Sequence, residues 1–569
     1  MALVDCGDGV RLERGVLCRM SDGVQLVSDH YYPPGDRPFP TLLMRQPYGR
    51  DIASTVVYAH PVWFAQHGYH VVIQDVRGRG DSEGDFYPFR NERKDGAETI
   101  AWLRGHPACN ARIGMYGFSY QGLTQLLTAA EQPEGLVCIA PGMTACDLYH
   151  GWFYRNGALR LSSTLAWGIQ MLRADARRRG LREASAALEA AWSDLRALVN
   201  SVPYGEHPAL RDAALPEYVR DWVTNDRPGD YWAALDVSRD LERIAVPALH
   251  VSGWFDTYLN GSVDGFLALT KSAATEFARK HQYLVAGPWI HIPWGDRIGN
   301  ETFGPEALLD TDALLLRWLD HWLKDSGEFA NQPRIQHFVL GDNVWGSAEQ
   351  WPEQPTAHLY LSSKGRANSR KGDGALSATV AKIDEPRDIF VSDPEVPVFA
   401  PGGPLALSGP HDQAELELGN NLLVYTGEPL KKRLHTFGHP RVTLYAATSA
   451  VNADFTAKLV RVLPDGRAQF VCMGVARSSH LFAGRGYQPD TVQRWEFELD
   501  PTSCVFFPGE RLRLEIASSA FPLYDRNSSA GLAASHASHW NWGRSTQQVL
   551  HSAQYPSALH LPAVEESAG

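Results

Sequence analysis

Arg112-Ile113-Gly114-Met115-Tyr116-Gly117-Phe118-Ser119-Tyr120-Gln121-Gly122 is the stretch on which the reading of this chain turns. Residues 112–116 carry the pattern of a buried strand and Leu123 to Gln132 that of a helix rich in Leu and Ala, so Ser119 falls at a strand-to-helix turn. Such a turn needs small neighbours, which Gly117 and Gly122 supply, and it lifts the serine oxygen clear at a helix N-terminus. Free N–H groups and the positive end of the helix dipole can stabilise a developing oxyanion there. The widely used pattern is Gly-x-Ser-x-Gly; here Gln121 stands where the second Gly belongs and Gly122 follows one place later. A plain strand-turn-helix corner would look the same, so the serine acquires meaning only from partners elsewhere.

A chain of 569 residues is too long for one core and predicts about three or four domains. The 53 Lys and Arg against 65 Asp and Glu leave a formal charge of −12, which repels nucleic acid and anionic membranes, and no basic run reverses this locally. Seven cysteines, an odd number and without a Cys-x-x-Cys pair, read as reduced thiols and not as a disulfide frame or a zinc site. Met1-Ala2-Leu3-Val4-Asp5 lacks the basic start and apolar run of a signal peptide, and no stretch reaches the length of a membrane span, so the expectation is a cytoplasmic protein.

Outward from the serine, residues 1–144 alternate short apolar runs (Thr41-Leu42-Leu43-Met44, His70-Val71-Val72-Ile73) with helix candidates (Val57 to His67, Ala97 to Leu103), which predicts an α/β unit with a mostly parallel sheet. Residues 145–240 read as an inserted helical lid, with Leu181, Ala184, Leu188, Trp192, Leu195 and Leu198 at helical spacing. Strand signals return at Pro247 to Val251 and Tyr283 to Ala286, and a helix from Ala313 to Lys324 closes the resumed α/β unit, 241–333. Beyond that the period becomes two. Trp495, Phe497 and Leu499 alternate with Glu496 and Glu498, Leu512, Leu514 and Ile516 with Arg513 and Glu515, and Phe455 to Leu463 with Ala468 to Met473 reads as a hairpin through Pro464-Asp465-Gly466. Residues 334–569 are therefore expected to form a β-sandwich of jelly-roll type, with a mobile loop at Ser362 to Gly374.

A serine alcohol is a poor nucleophile near neutral pH and needs an imidazole to take its proton and an acid to orient that imidazole. The resumed unit offers both: Ser252-Gly253-Trp254-Phe255-Asp256 follows one strand and Gly287-Pro288-Trp289-Ile290-His291 the next. The order Ser119, Asp256, His291 is the order expected when a triad hangs from successive strand ends of an α/β-hydrolase sheet. Competing readings exist for each. Asp256 could cap a helix beginning near Thr257, Asp75 and Asp81 are rival carboxylates, and His321 reads as an ordinary helix residue among 21 histidines. The loop Arg77-Gly78-Arg79-Gly80-Asp81-Ser82-Glu83-Gly84 has the wrong spacing for a dinucleotide turn and reads as structural. No His-Glu-x-x-His or clustered carboxylate pattern points to a metal, and no cofactor is expected.

Several stretches together resemble the family of bacterial cocaine esterase and its relatives, which share a fold with X-prolyl dipeptidyl peptidases and α-amino-acid ester hydrolases. They are Arg45-Gln46-Pro47-Tyr48, Asp75 to Gly84, Gly117-Phe118-Ser119-Tyr120-Gln121-Gly122, Gly253-Trp254-Phe255-Asp256 and Gly287-Pro288-Trp289-Ile290-His291, with Asp454 to Leu459 and Phe521 to Asn527 further on. Gly-x-Ser-Tyr-x-Gly is the form of the turn in that family. The resemblance implies a triad of Ser119, Asp256 and His291, and an oxyanion hole from the Tyr120 backbone N–H and the Tyr48 hydroxyl. Without it Tyr48 reads as a core aromatic. It also implies an acyl pocket at Trp152, Trp167 and Tyr258, although tryptophans in a helical lid are more often packing. Gln121 stands where the amino-ester hydrolases carry Glu, which implies an acyl group without a free amine.

The expected function is thus a serine carboxylic-ester hydrolase acting through an acyl-enzyme on a small-molecule ester or amide, with no nucleic-acid or membrane partner and a homodimer left open. The alternatives are an acyltransferase or an amide or peptide hydrolase with the same triad, and a non-catalytic binder built on the sandwich.

Overall fold

The computed structural model describes residues 3–36, 38–51 and 56–564. The serine-bearing strand, Cys109–Phe118, lies in the middle of an eleven-stranded sheet and is flanked in parallel by Phe39–Gln46 and Leu136–Gly142. From edge to edge the strands are Val4–Asp5, Arg11–Arg19, Gln25–Tyr32, His70–Asp75, Phe39–Gln46, Cys109–Phe118, Leu136–Gly142, Ala248–Gly253, Gln282–Gly287, Ile335–Val339 and Val344–Ala348. His70–Asp75 to Ile335–Val339 run parallel, and the strands beyond them on either side pair antiparallel. Central strands buried on both faces must be apolar throughout, as Val71-Val72-Ile73 and Leu42-Leu43-Met44 are. Because the four strands that precede Tyr48, Ser119, Asp256 and His291 are parallel, their carboxyl ends open on one edge of the sheet.

The expected helices are present with shifted ends. The first covers only Pro61–Gln66, because His60 caps it, accepting the Val62 N–H at 3.2 Å, and Pro61 sets its first turn. The helix after Ser119 begins at once, Tyr120–Ala130. Between 145 and 240 the helical reading misses a small hairpin, Tyr154–Arg155 with Ala158–Leu159, because two-residue strands carry no periodic signal. The apolar stripe from Leu181 to Leu198 is broken at Asp194, which ends the helix Arg182–Ser193 and caps Leu195–Asn200 by accepting the Ala197 N–H at 2.9 Å.

The C-terminal part is β-rich, built of a second large sheet and a three-stranded one, and its hairpin Asp454–Val462 with Ala468–Arg477 turns through Pro464-Asp465-Gly466. Strand Gln493–Glu498 buries Trp495 and Phe497 on one face as the alternation predicts. Strand Arg511–Ala517 does not alternate in this way: Arg513 and Glu515 are buried too, Arg513 paired with Glu417 at 2.5 Å and Glu515 with Lys458 at 2.7 Å. Charges on the second face therefore mark a buried ion-pair layer, not a solvated surface. The loop from Ser362 to Gly374 is tied down, since the Ser363 hydroxyl and the Ala367 N–H both donate to Asp388. A Cβ at Gly374 would lie 2.2 Å from the Val424 carbonyl. Trp254, just before Asp256, donates its indole N–H to the Phe338 carbonyl at 2.7 Å and shares one core with the C-terminal sheets.

One buried charge cluster in this part has a measurable consequence. His551 lies between two carboxylates, Nδ1 at 2.8 Å from Glu385 and Nε2 at 2.8 Å from Asp388. Burial alone would lower the imidazole, but the two carboxylates raise it above its ordinary value; burial of Asp388 is likewise outweighed, chiefly by His551, and that carboxyl is lowered. His551→Phe leaves Asp388 buried beside no cation among the described residues, and breaking such a pair is expected to cost about 3–5 kcal/mol in urea unfolding near pH 6. The raised histidine contributes fully below its unfolded value of about 6.5 and loses that contribution as pH rises through the folded value, so the gap to wild type should narrow by pH 9. An equal gap at both pH values would contradict this.

Candidate active site

Ser119 sits at φ 61° and ψ −126°, a region that costs non-glycine residues about 1–3 kcal/mol and persists only where the surroundings enforce it. Its own N–H is held by the Gly142 carbonyl at 2.8 Å, and Gln125 spans the turn, donating to Gly117 O at 3.0 Å and accepting from Ala140 N at 2.8 Å. The displaced glycine has a steric cause. A Cβ at Gly122 would lie 2.8 Å from Thr144 Cβ and 2.9 Å from Gly142 O, while one at Gly117 would lie 2.5 Å from Gln121 Cβ. Gln121 accepts the Phe118 N–H through Oε1 at 3.2 Å, bracing the turn from inside, and also reaches the cavity wall.

Ser119 opens into a cavity of about 510 Å³ that Tyr48, Gln121, Trp167, Tyr258 and His291 also line. His291 Nδ1 lies 2.7 Å from Asp256 Oδ1. The imidazole is held by the edge of Tyr258, ring centroids 5.0 Å apart, and by Phe118 at 5.4 Å. The Asp256 carboxylate is buried, and its Oδ2 has no protein partner among the described residues; beside it is a second cavity of about 60 Å³, also lined by Arg160 and Asp500. The helix that Asp256 could have capped begins only at Leu259, so its side chain serves His291 instead.

Tyr48 and Tyr120 stand in different relations to the serine. The Tyr48 hydroxyl accepts the Trp167 indole N–H at 3.2 Å and lies against the Ser119 hydroxyl. Burial pushes its pKa up to about 12 against the smaller lowering by Trp167 and Ser119, so it stays a protonated donor across the physiological range. The Tyr120 ring is a core strut, its hydroxyl donating to Glu92 at 2.8 Å and accepting the Phe89 N–H at 3.0 Å. Only its backbone N–H, the first of the helix and without an intrahelical acceptor, belongs to the serine turn.

The expected pocket residues separate. Trp167 and Tyr258 line the cavity, whereas Trp152 is buried one layer back, stacked on Tyr258 with centroids 4.1 Å apart, and is not among its lining residues. Phe118, Trp192 and Gln170 also line the cavity and were missed. Trp192 belongs to the stripe at helical spacing; such spacing identifies one face of a helix but does not distinguish a core from a cavity wall.

Rival residues have other employment. Arg50 gathers Asp75 at 2.5 Å, Asp29 at 2.8 Å and Asp81 at 2.7 Å. The glycine-rich loop is a packed turn: Gly80 lies at φ +51° and a Cβ there would lie 1.9 Å from the Asp75 carboxylate. His321 packs against Trp322, centroids 4.6 Å apart, on the helix Thr311–Lys324. No helix among the described residues is long and apolar enough to cross a membrane.

A family model described as X-Pro dipeptidyl-peptidase (S15 family) matches residues 22–293, and one for the X-Pro dipeptidyl-peptidase C-terminal non-catalytic domain matches 327–560. Cocaine esterase from Rhodococcus sp. (strain MB1 Bresler) is 32% identical, over 97% of this chain and 98% of that protein. Two solved structures share the fold at 24% identity: an aminopeptidase from a marine-sediment Thaumarchaeota archaeon, TM-score 0.79 over 97% of both chains, and an α-amino acid ester hydrolase, TM-score 0.77 over 99% and 98%.

Proposed function

The chain belongs to the family of cocaine esterase within the S15 α/β hydrolases and is a serine hydrolase of carboxylic esters, and from that premise we propose that Ser119, His291 and Asp256 carry the reaction, with Tyr48 and the Tyr120 N–H holding the oxyanion. The observation that carries this assignment is the 2.7 Å contact of Asp256 with His291 Nδ1 beside a cavity that also exposes the strained Ser119. With Nδ1 committed to the carboxylate, Nε2 is left to take the serine proton as Oγ bonds to the ester carbonyl carbon. The negative charge formed on the carbonyl oxygen is met by the Tyr48 hydroxyl and the Tyr120 amide. Collapse of the tetrahedral intermediate breaks the bond to the alcohol, which leaves with the proton from His291. Water then repeats the attack on the acyl-Ser119 ester with the same base, and Asp256 stabilises the imidazolium in both halves.

The cavity also bears on the acyl group. Its walls are Trp167, Trp192, Tyr258 and Phe118 with polar but uncharged Gln121, Gln170 and Ser163, and no carboxylate is among the described residues that line it. An ammonium group there would be desolvated without a counter-charge, which costs several kcal/mol, whereas an apolar acyl group gains the burial. We therefore infer an apolar or aromatic acyl group without a free amine. Benzoate and phenylacetate esters should be turned over with at least tenfold higher kcat/KM than aminoacyl-prolyl p-nitroanilides in steady-state assays; the reverse ranking would overturn the acyl assignment while leaving the triad untouched.

A further inference from the structure

At the opposite end of the sheet three imidazoles converge. His30 comes from strand Gln25–Tyr32, His70 opens strand His70–Asp75, and His106 lies in the turn between helix Glu92–Arg104 and strand Cys109–Phe118. One ring nitrogen from each lies within 4.8 Å of the others. His30 and His70 are fully buried, and His106 is half-buried at a solvent-facing cavity of about 390 Å³ that Arg11, Glu13 and Tyr32 also line. We propose that His30, His70 and His106 form a binding site for a divalent first-row transition metal such as zinc, with its fourth position open to that cavity.

Three neutral imidazoles are the donor set that zinc and its neighbours take, and the absence of carboxylate and carbonyl oxygens from the trio disfavours magnesium and calcium. His30 and His70 are both fully buried, and burial disfavours the charged imidazolium, so a neutral ring with a lone pair is the form each presents. The outer nitrogens are braced as ligand histidines are: His30 Nε2 at 3.0 Å from Ser28 Oγ and His70 Nδ1 at 3.2 Å from Thr41 Oγ1. Ser28 gives its own proton to the Val16 carbonyl, so it accepts from His30 Nε2, which leaves His30 Nδ1 as the lone pair facing His70 Nε2 at 2.9 Å. Without metal, one proton joins those two nitrogens. A metal takes the place of that proton, which moves to His70 Nδ1 and is accepted by Thr41, and the rings part by about half an ångström to reach tetrahedral spacing. His106 Nδ1 accepts the Ala108 N–H at 3.2 Å, which places the ring proton on Nε2; ligation through Nε2 therefore moves that proton to Nδ1 and gives up the long bond to Ala108. The Glu13 carboxylate, which accepts the Tyr32 hydroxyl proton at 2.8 Å, lines the same cavity as His106 and adds negative charge near a bound cation.

Such an ion would tie three separated segments together. It would stand about 17 Å from the catalytic edge, the rise of the five residues from His70 to Asp75, and so stabilise the fold without entering ester hydrolysis. The test uses untagged, chelator-stripped full-length protein titrated with zinc against a chromophoric chelator. Wild type should retain one zinc per chain after gel filtration and gain about 3 °C in melting temperature, with no gain from magnesium. His106→Phe should lose both the retained zinc and the shift. Crystals of wild-type protein soaked in zinc should show an anomalous peak within about 2.1 Å of one nitrogen of each ring. Equal zinc retention by His106→Phe, or zinc peaks confined to other histidines such as the adjacent His358 and His560, would overturn the proposal, and the crystal result stands even if the variant fails to fold.

Discussion

Ser119→Ala is expected to lower kcat by about a millionfold and to abolish labelling by a fluorophosphonate, while binding of a product carboxylate stays within a few fold of wild type. Alanine has to adopt the same φ of 61° that serine adopts, so the backbone strain at the turn is retained and only the hydroxyl is lost. The variant should therefore melt near the wild-type temperature. His291→Ala should cost nearly as much as Ser119→Ala and the double variant little more, because the proposed pair acts as a unit. Labelling that survives in Ser119→Ala would place the nucleophile elsewhere and end this mechanism.

Tyr48→Phe is the second large effect. It removes one oxygen that accepts from Trp167 and faces Ser119. Loss of one oxyanion donor typically costs about 2.7–4 kcal/mol of transition-state stabilisation, so kcat should fall between about a hundredfold and a thousandfold. KM for an aryl ester should change little, since the interaction strengthens as charge builds on the carbonyl oxygen. A merely structural Tyr48 would instead lower the melting temperature and leave kcat within a few fold, because a single buried hydrogen bond contributes about 1 kcal/mol to stability.

The parts of this site legible in the sequence are those that follow buried parallel strands. An apolar run ending in glycine, then a loop with one charged or nucleophilic residue, recurs before Ser119, Asp256 and His291, and the parallel sheet delivers all three loops to one edge. Tyr48 follows the same rule, yet an aromatic after a strand is also what a core requires, so only the resemblance singled it out. Trp152, expected in the wall, lies behind it, and Trp192, at helical spacing in the lid, lines it, for a similar reason: burial pattern records that a side chain is covered, not whether protein or substrate covers it. The alternation of Arg513 and Glu515 with apolar residues shows a strand but not that its charged face is buried, because their partners Glu417 and Lys458 lie on other elements. The histidine trio left no trace in spacing, since its members are 40 and 36 residues apart and only the folded sheet brings them together.

The central claim is that Ser119 attacks an ester whose carbonyl oxygen is held by Tyr48 and Tyr120. A crystal structure of the enzyme inactivated by an aryl phosphonate tests it most directly. The account predicts a covalent bond from Ser119 Oγ to phosphorus, one phosphonyl oxygen about 2.7–3.1 Å from both the Tyr48 hydroxyl and the Tyr120 N–H, and the aryl group against Trp167 and Tyr258. Phosphorus bonded to another residue, or an oxygen turned away from both tyrosines, would contradict it.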